Sequence, residues 1–197
     1  MISPEILAIA LGYLMGSIPF GLLLTKFAGK GDIRKTGSGN IGATNVLRTG
    51  NKGLAAATLL LDIAKGIAAV LLARQIAPDF MAMAGFAAFL GHVYPVWLGF
   101  KGGKGVATFI GAILGLSWLA GLAGILTWAL VAAAFRISSL ASLVTAIAAP
   151  VYLLFLGPRI SVMWAFVMTA VILIAHRENI QRLIRGGEPK IGRKSQK

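Results

Sequence analysis

Cysteine is absent from the 197 residues, which excludes disulfides, thiolate nucleophiles and cysteine-ligated zinc. Acidic residues number six and histidines two. No carboxylate cluster is available to hold catalytic magnesium, so neither a metal nor a cofactor is expected. Long polar stretches are also missing. Hydrophobic residues make up 57% of the chain, leaving too little polar surface for a soluble globule of this size. Residues 1–5 lack the basic flank of a cleaved signal peptide, so the first apolar segment is expected to stay in the fold.

What is present is a succession of apolar runs. Crossing the hydrocarbon of a bilayer takes about 20 mostly apolar residues in a helix. Segments 5–25, 53–73, 80–100, 106–118, 119–135, 138–156 and 161–175 meet or approach that length. They predict an all-α integral membrane protein of about seven transmembrane helices, forming a single multi-pass membrane domain over residues 1–197. The fourth segment has about 13 residues, roughly 20 Å at 1.5 Å per residue. It must tilt, thin the bilayer locally or be a half-helix, which leaves five to seven crossings.

The basic residues orient this array, because Lys and Arg near helix ends favour the cytoplasm. Counting alternate loops places 16 of the 19 on one side, including a basic tail from about residue 177. Only Arg74 and Arg159 fall on the other, and Lys65 lies within the second segment. The N-terminus is therefore expected outside and the C-terminus in the cytoplasm. The net charge of +13 sits in short clusters beside the membrane, without interleaved aromatics or a soluble domain. It suits anionic lipid headgroups and not nucleic acid.

Three cytoplasmic segments have a composition that topology alone does not demand. The first is Gly37-Ser-Gly-Asn-Ile-Gly-Ala-Thr-Asn45, followed by Arg48. Its small residues let backbone N–H groups approach a ligand, and Ser38, Asn40, Thr44 and Asn45 add side-chain donors, as in a phosphate nest. Gly37, Gly39 and Gly42 have dinucleotide-loop spacing, but no βαβ unit can be drawn around them. The second is Phe100-Lys-Gly-Gly-Lys-Gly-Val-Ala-Thr108, with Lys101 and Lys104 among Gly102, Gly103 and Gly105 at a helix start. It is not a Walker A loop: Leu98 stands where the first glycine belongs, and Gly105 follows Lys104 where Ser or Thr is needed. The third pairs Ser138-Ser-Leu-Ala-Ser142 with His176-Arg-Glu-Asn-Ile-Gln-Arg182. In helical geometry Ser139 and Ser142 share a face, as do His176 and Asn179.

Two further polar positions read as structural. Asp62 and Lys65, three apart in the second helix, can pair and so lower each other's cost in lipid. His92 has no second histidine or cysteine nearby to complete a metal site and is expected to be a hydrogen-bonded packing residue.

These motifs, occurring together and in order over essentially the whole length, resemble the bacterial acyl-phosphate-dependent glycerol-3-phosphate acyltransferases (PlsY type). The resemblance implies transfer of a fatty acyl group from acyl phosphate to sn-glycerol 3-phosphate, giving 1-acylglycerol 3-phosphate (lysophosphatidic acid) and phosphate. That is the first acylation of phospholipid synthesis, in the bacterial cytoplasmic (inner) membrane. It implies that Ser38, Arg48, Lys104, Ser142, His176 and Asn179 contact glycerol 3-phosphate, with Ser139 beside Ser142. Ser38, Arg48, Lys104, His176 and Asn179 form the catalytic group. Gly37, Gly39, Asn40, Thr44, Asn45, Lys101, Gly102, Gly103 and Gly105 cradle phosphate. Partners implied are the two substrates, membrane lipids and, through coupling, the enzyme that makes acyl phosphate.

The residues also bear on mechanism. Other glycerolipid acyltransferases place Asp five residues after a general-base His. Here Trp97 follows His92 at that spacing and Gln181 follows His176. A substrate phosphate oxygen is the expected proton acceptor. The rival class, a transporter for a phosphorylated metabolite, would want a midplane site and an inverted repeat, whereas every anion motif here falls on one face.

Overall fold

The computed structural model describes residues 2–192, and every regular element among them is helical. The chain divides after Leu116 into two compact units.

The first unit begins with α1 (Pro4–Gly16), started by Ser3 and Pro4 and carrying Glu5 in its first turn, where the helix dipole favours it. Pro19 lacks an N–H and interrupts the run expected over 5–25. The chain resumes as α2 (Phe20–Phe27), and the two together form a span-length stretch of 24 residues. A 3₁₀ turn (Ile33–Lys35) and the five-residue α3 (Ala43–Leu47) carry the first motif. The 25-residue α4 (Lys52–Ile76) starts where Asn51 Oδ1 accepts the Leu54 N–H at 3.0 Å.

Next, α5 (Met81–Val93) ends earlier than the expected 80–100 segment, because Pro95 pushes Tyr94 out of helical geometry. Only a 3₁₀ turn (Val96–Leu98) follows. The unit closes with α6 (Val106–Leu116), at 11 residues the short helix that the sequence foreshadows. Here α4 packs on α6, and α1 on α5. Glycines make the second contact close: a methyl on Gly16 would run into the Ala88 carbonyl, and one on Gly91 into that of Tyr13.

In the second unit, α7 (Trp118–Phe135) is capped by Ser117, whose hydroxyl also donates to the Leu156 carbonyl at 2.6 Å. It packs on α8 (Ser138–Leu156), and α8 packs on α9 (Arg159–Ala175). A fourth helix, α10 (Arg177–Ile184), meets α9 at 63°. Among the described residues five stretches are long and apolar enough to cross a bilayer, and the bent α9–α10 pair makes a sixth if it counts as one span.

The second unit also shows how a proline is tolerated inside a span. Pro150 in α8 has no N–H to give the Ala146 carbonyl four residues earlier. Thr169 of α9 donates its hydroxyl to that carbonyl at 2.6 Å. An apolar surrounding makes an unpartnered carbonyl costly, so a neighbouring helix supplies what the proline removes.

Thr169→Val is therefore expected to destabilise the protein by about 1–2 kcal/mol, read as a lower unfolding midpoint in detergent. In a Pro150→Ala background, where the backbone N–H is restored, the same substitution should cost far less. Equal costs in both backgrounds would dissociate Thr169 from the proline.

Candidate functional site

The first motif is organised around Asn45, which is 2% exposed. Its Nδ2 donates toward three carbonyls, those of Ile33 at 3.0 Å, Thr36 at 2.9 Å and Asn40 at 2.8 Å. Its Oδ1 accepts the Ser38 N–H at 3.0 Å. An amide nitrogen has two hydrogens, so none is left for a ligand. Asn45 thus fastens the loop and does not itself reach out as a phosphate ligand would.

Two of the loop's glycine amides are engaged in the same way. The Gly39 N–H bonds Thr36 O at 3.0 Å and the Gly42 N–H bonds Asn40 Oδ1 at 3.1 Å. The amides of Ser38, Gly39 and Gly42 are therefore spent inside the loop. The glycines serve the backbone path: Gly37, at φ +58°, lies under Arg48, where an added methyl would sit 2.8 Å from Cδ and 3.1 Å from Nη1. Ser38, Thr44 and Arg48 are exposed along this loop, and Asn40 is half-buried.

The second motif forms the link from the 3₁₀ turn to α6. Gly102 and Gly103 donate their N–H groups to Val93 O at 3.0 Å and His92 O at 2.9 Å, so these two amides are also spent inside the protein. Phe100 adopts φ +62°, a conformation rare for a non-glycine residue and a mark of local strain. Lys101 is exposed, Lys104 half-buried and Gly105 buried against the Phe89 ring. The donors this loop retains by geometry are those of the first turn of α6, which have no intrahelical acceptor.

Both loops rest on one hydrophobic base. Leu22, Ile33, Ile41, Val46 and Ala55 form a buried cluster under the first loop, and Leu98, just ahead of the second, packs against it. Ser38 and Arg48 on one side, and Lys104 with the α6 N-terminus on the other, thereby belong to one end of one unit.

In the second unit Glu188 gathers three donors: Asn179 Nδ2 at 2.5 Å, Ser139 Oγ at 2.7 Å and Arg182 Nε at 2.7 Å. Burial pushes its carboxyl toward protonation. The hydrogen bonds from Asn179, Ser139 and Arg182 outweigh that and hold its pKa below the ordinary glutamate value. Nothing in the composition of a basic tail singled Glu188 out; its only signal is to be an isolated acid in Gly-Glu-Pro-Lys. The tail is correspondingly tied back, with the Ile191 N–H on Arg136 O at 2.6 Å. Arg193, Lys194 and Lys197, counted in the basic tail, lie outside the described residues.

Ser142 is buried, donates to Ser138 O at 2.9 Å and accepts from Trp128 Nε1 at 3.3 Å. The span expected over 161–175 ends at Ala175, as α9 does, and His176 stands between α9 and α10, which carries Asn179. Both side chains are buried. His176 Nδ1 lies 2.9 Å from the Ile172 carbonyl. A carbonyl only accepts, so Nδ1 carries the hydrogen in this contact. Among the described residues no three His, Cys, Asp or Glu side chains group as metal ligands.

The family model described as glycerol-3-phosphate acyltransferase matches residues 6–186. A glycerol-3-phosphate acyltransferase of Mesorhizobium japonicum is 60% identical over 190 residues, covering 96% of this chain and 97% of the relative. One from Caulobacter vibrioides is 57% identical over 192 residues, covering 95% and 88%. Two crystal structures of PlsY, an integral membrane glycerol 3-phosphate acyltransferase, superpose with TM-scores of 0.90 for the glycerol 3-phosphate form and 0.88 for the lysophosphatidic acid form. Each is 38% identical and matches 95% of this chain, covering 96% and 95% of the solved chains respectively.

Two outcomes are expected. Asn45→Asp turns three accepted donations into repulsions and should cut activity by about 100-fold or more, with helix content by circular dichroism unchanged; near-normal turnover would mean the loop tolerates losing its fastener. Because the folded pKa of Glu188 is depressed, its contribution to stability is present above pH 4.5, the ordinary glutamate value, and fades as pH falls through the folded value. The gap in unfolding midpoint between the natural protein and Glu188→Gln should therefore be constant at higher pH and narrow only below about 4.5.

Proposed function

The chain belongs to the glycerol-3-phosphate acyltransferase family and is an integral membrane enzyme, and from that premise we propose that its acyl donor is an acyl phosphate. The observation that supports this most is the seating of two cation-bearing loops on one hydrophobic base through Leu98. Two sites for phosphate suit a reaction in which the donor carries one on the reacting carbonyl and the small acceptor carries one on C3, two carbons from the C1 that bears the attacking hydroxyl. In a CoA thioester the phosphates lie far from the reacting carbonyl.

In the proposed reaction the C1 hydroxyl oxygen of glycerol 3-phosphate attacks the acyl carbonyl carbon. The new ester C–O bond forms, the bond from carbon to the phosphate oxygen breaks, and the hydroxyl proton passes to a phosphate oxygen. The products are 1-acylglycerol 3-phosphate and inorganic phosphate. Phosphate leaves readily, so the protein's work is positioning and neutralising charge, not supplying a strong base. Lys104 and the first turn of α6 are assigned to the acyl phosphate's leaving group, with Lys101 at the loop's outer edge. Ser38 and Arg48 are assigned to glycerol 3-phosphate. Gly37, Gly39, Asn40, Thr44, Asn45, Gly102, Gly103 and Gly105 hold these side chains in place.

In the second unit Ser142, His176 and Asn179 are assigned to glycerol 3-phosphate, with Ser139 and Asn179 set in orientation by Glu188. Orientation with the loops toward the cytoplasm of a bacterial inner membrane follows from the placement of the basic residues. It lets a water-soluble acceptor reach the site from the cytosol while the acyl chain stays in lipid.

The test is phosphate release by the lipid-reconstituted protein given palmitoyl phosphate with and without glycerol 3-phosphate, with palmitoyl-CoA as the parallel donor. Release that depends on glycerol 3-phosphate, with lysophosphatidic acid formed only from the phosphate donor, is expected. Product from the CoA donor alone would overturn the proposal. Lys104→Ala should lower turnover by about 100-fold or more. His176→Ala should regain much of its rate at high glycerol 3-phosphate if the ring binds substrate, and stay inactive at all concentrations if it is the base.

A further inference from the structure

Beneath the second loop lies a buried polar chain that the reaction above does not use. Lys65 Nζ is 2.8 Å from Asp62 Oδ1, 3.0 Å from His92 Nδ1 and 2.9 Å from the Ile18 carbonyl. The Phe20 ring centroid is 5.6 Å away. All three charged or titratable side chains are buried. Asp62 Oδ1 is also 3.5 Å from His92 Nδ1. An ammonium group has hydrogens to give and no lone pair, so in its contact with His92 the lysine donates. His92 Nδ1 therefore accepts, and the ring hydrogen sits on Nε2. That edge of the ring lies directly against Gly103, where an added methyl would collide with Nε2. The same residue's carbonyl takes the Gly103 N–H, and the carbonyl of its neighbour Val93 takes that of Gly102.

His92 thus touches the loop with both its backbone and its ring, while Lys65 fixes the ring's rotation and tautomer and Asp62 balances the lysine's charge. A buried cluster kept for helix packing alone would have no need to direct its last member at Gly103. We propose that His92, held by Lys65 and Asp62, is a positioning residue that sets the seat of the 100–105 loop and hence the placement of Lys104. The inference rests on the reading of that loop as the holder of the acyl phosphate.

The absence of cysteine makes Lys101→Cys a unique reporter of the loop in the full-length, lipid-reconstituted protein. Its rate of reaction with a water-soluble maleimide is compared with and without His92→Asn, in which the Asn oxygen can stand near the Nδ1 position and keep an acceptor for Lys65. The KM for palmitoyl phosphate is measured alongside. Labelling faster by about 5-fold and a KM raised by about 10-fold are expected. Faster labelling with unchanged KM would uphold the positioning role and overturn the phosphate reading of the loop. Unchanged labelling would overturn the positioning role. If His92→Asn does not yield folded protein, Gly103→Ala presses on Nε2 from the loop side with the polar chain left in place. The same acceleration of Lys101→Cys labelling is expected there, and its absence would sink the proposal.

Discussion

A lysine ammonium inside the first unit must find an acceptor for each of its hydrogens, because no bulk water reaches it and an unpaired charge there is costly. Lys65 answers with two hydrogen-bond partners, His92 on α5 and the Ile18 carbonyl in the break between α1 and α2, and with an ion pair to Asp62 on its own helix. The break is therefore more than an interruption. Pro19 ends α1, and the adjacent Ile18 carbonyl turns to the lysine. Three helical elements are tied at one atom, and removing either member of the ion pair would leave a buried charge at a cost of about 3–5 kcal/mol. The loop carrying Lys104 is fastened to this node through His92 and Val93.

Much of the architecture was legible because hydrocarbon allows few solutions. Apolar runs marked every long helix, and the shortness of the 106–118 segment foretold α6. The Asp62–Lys65 pair followed from spacing. What spacing could not give was decided by prolines and by partners far away in sequence. Pro95 shortened the third run by displacing Tyr94. Pro150, by contrast, left α8 intact because Thr169, on another helix, takes over its lost donation. Sequence periodicity treats these prolines alike; only the tertiary partner distinguishes them.

The site was legible by composition but not by role. Glycine density in the two loops suggests free amides waiting for phosphate, yet the N–H groups of Ser38, Gly39, Gly42, Gly102 and Gly103 are donated within the protein. Likewise Asn45 reads as a ligand and is a fastener, because its three carbonyl partners come from positions 5 to 12 residues away and cannot be inferred from the motif. Glu188 escaped notice for the same reason: its significance lies in Ser139, 49 residues away in sequence.

This redistribution has a chemical logic. A nest of unpaired amides at a membrane surface would be filled by water or headgroup phosphate when empty, and would have to be cleared before each turnover. A loop whose amides are already bonded stays in one shape whether or not substrate is present. Under the proposed assignment the electrostatic contribution falls to groups carried on that shape: Arg48 lying over Gly37, the lysines of the second loop, and the first turn of α6. In the proposed reaction such preorganisation would lower the barrier, because nothing must reorient as charge moves onto the leaving phosphate. It also explains why glycines are needed at all. They permit the backbone to run under Arg48 at φ +58° and against His92 where no side chain fits, so that the fixed shape can exist.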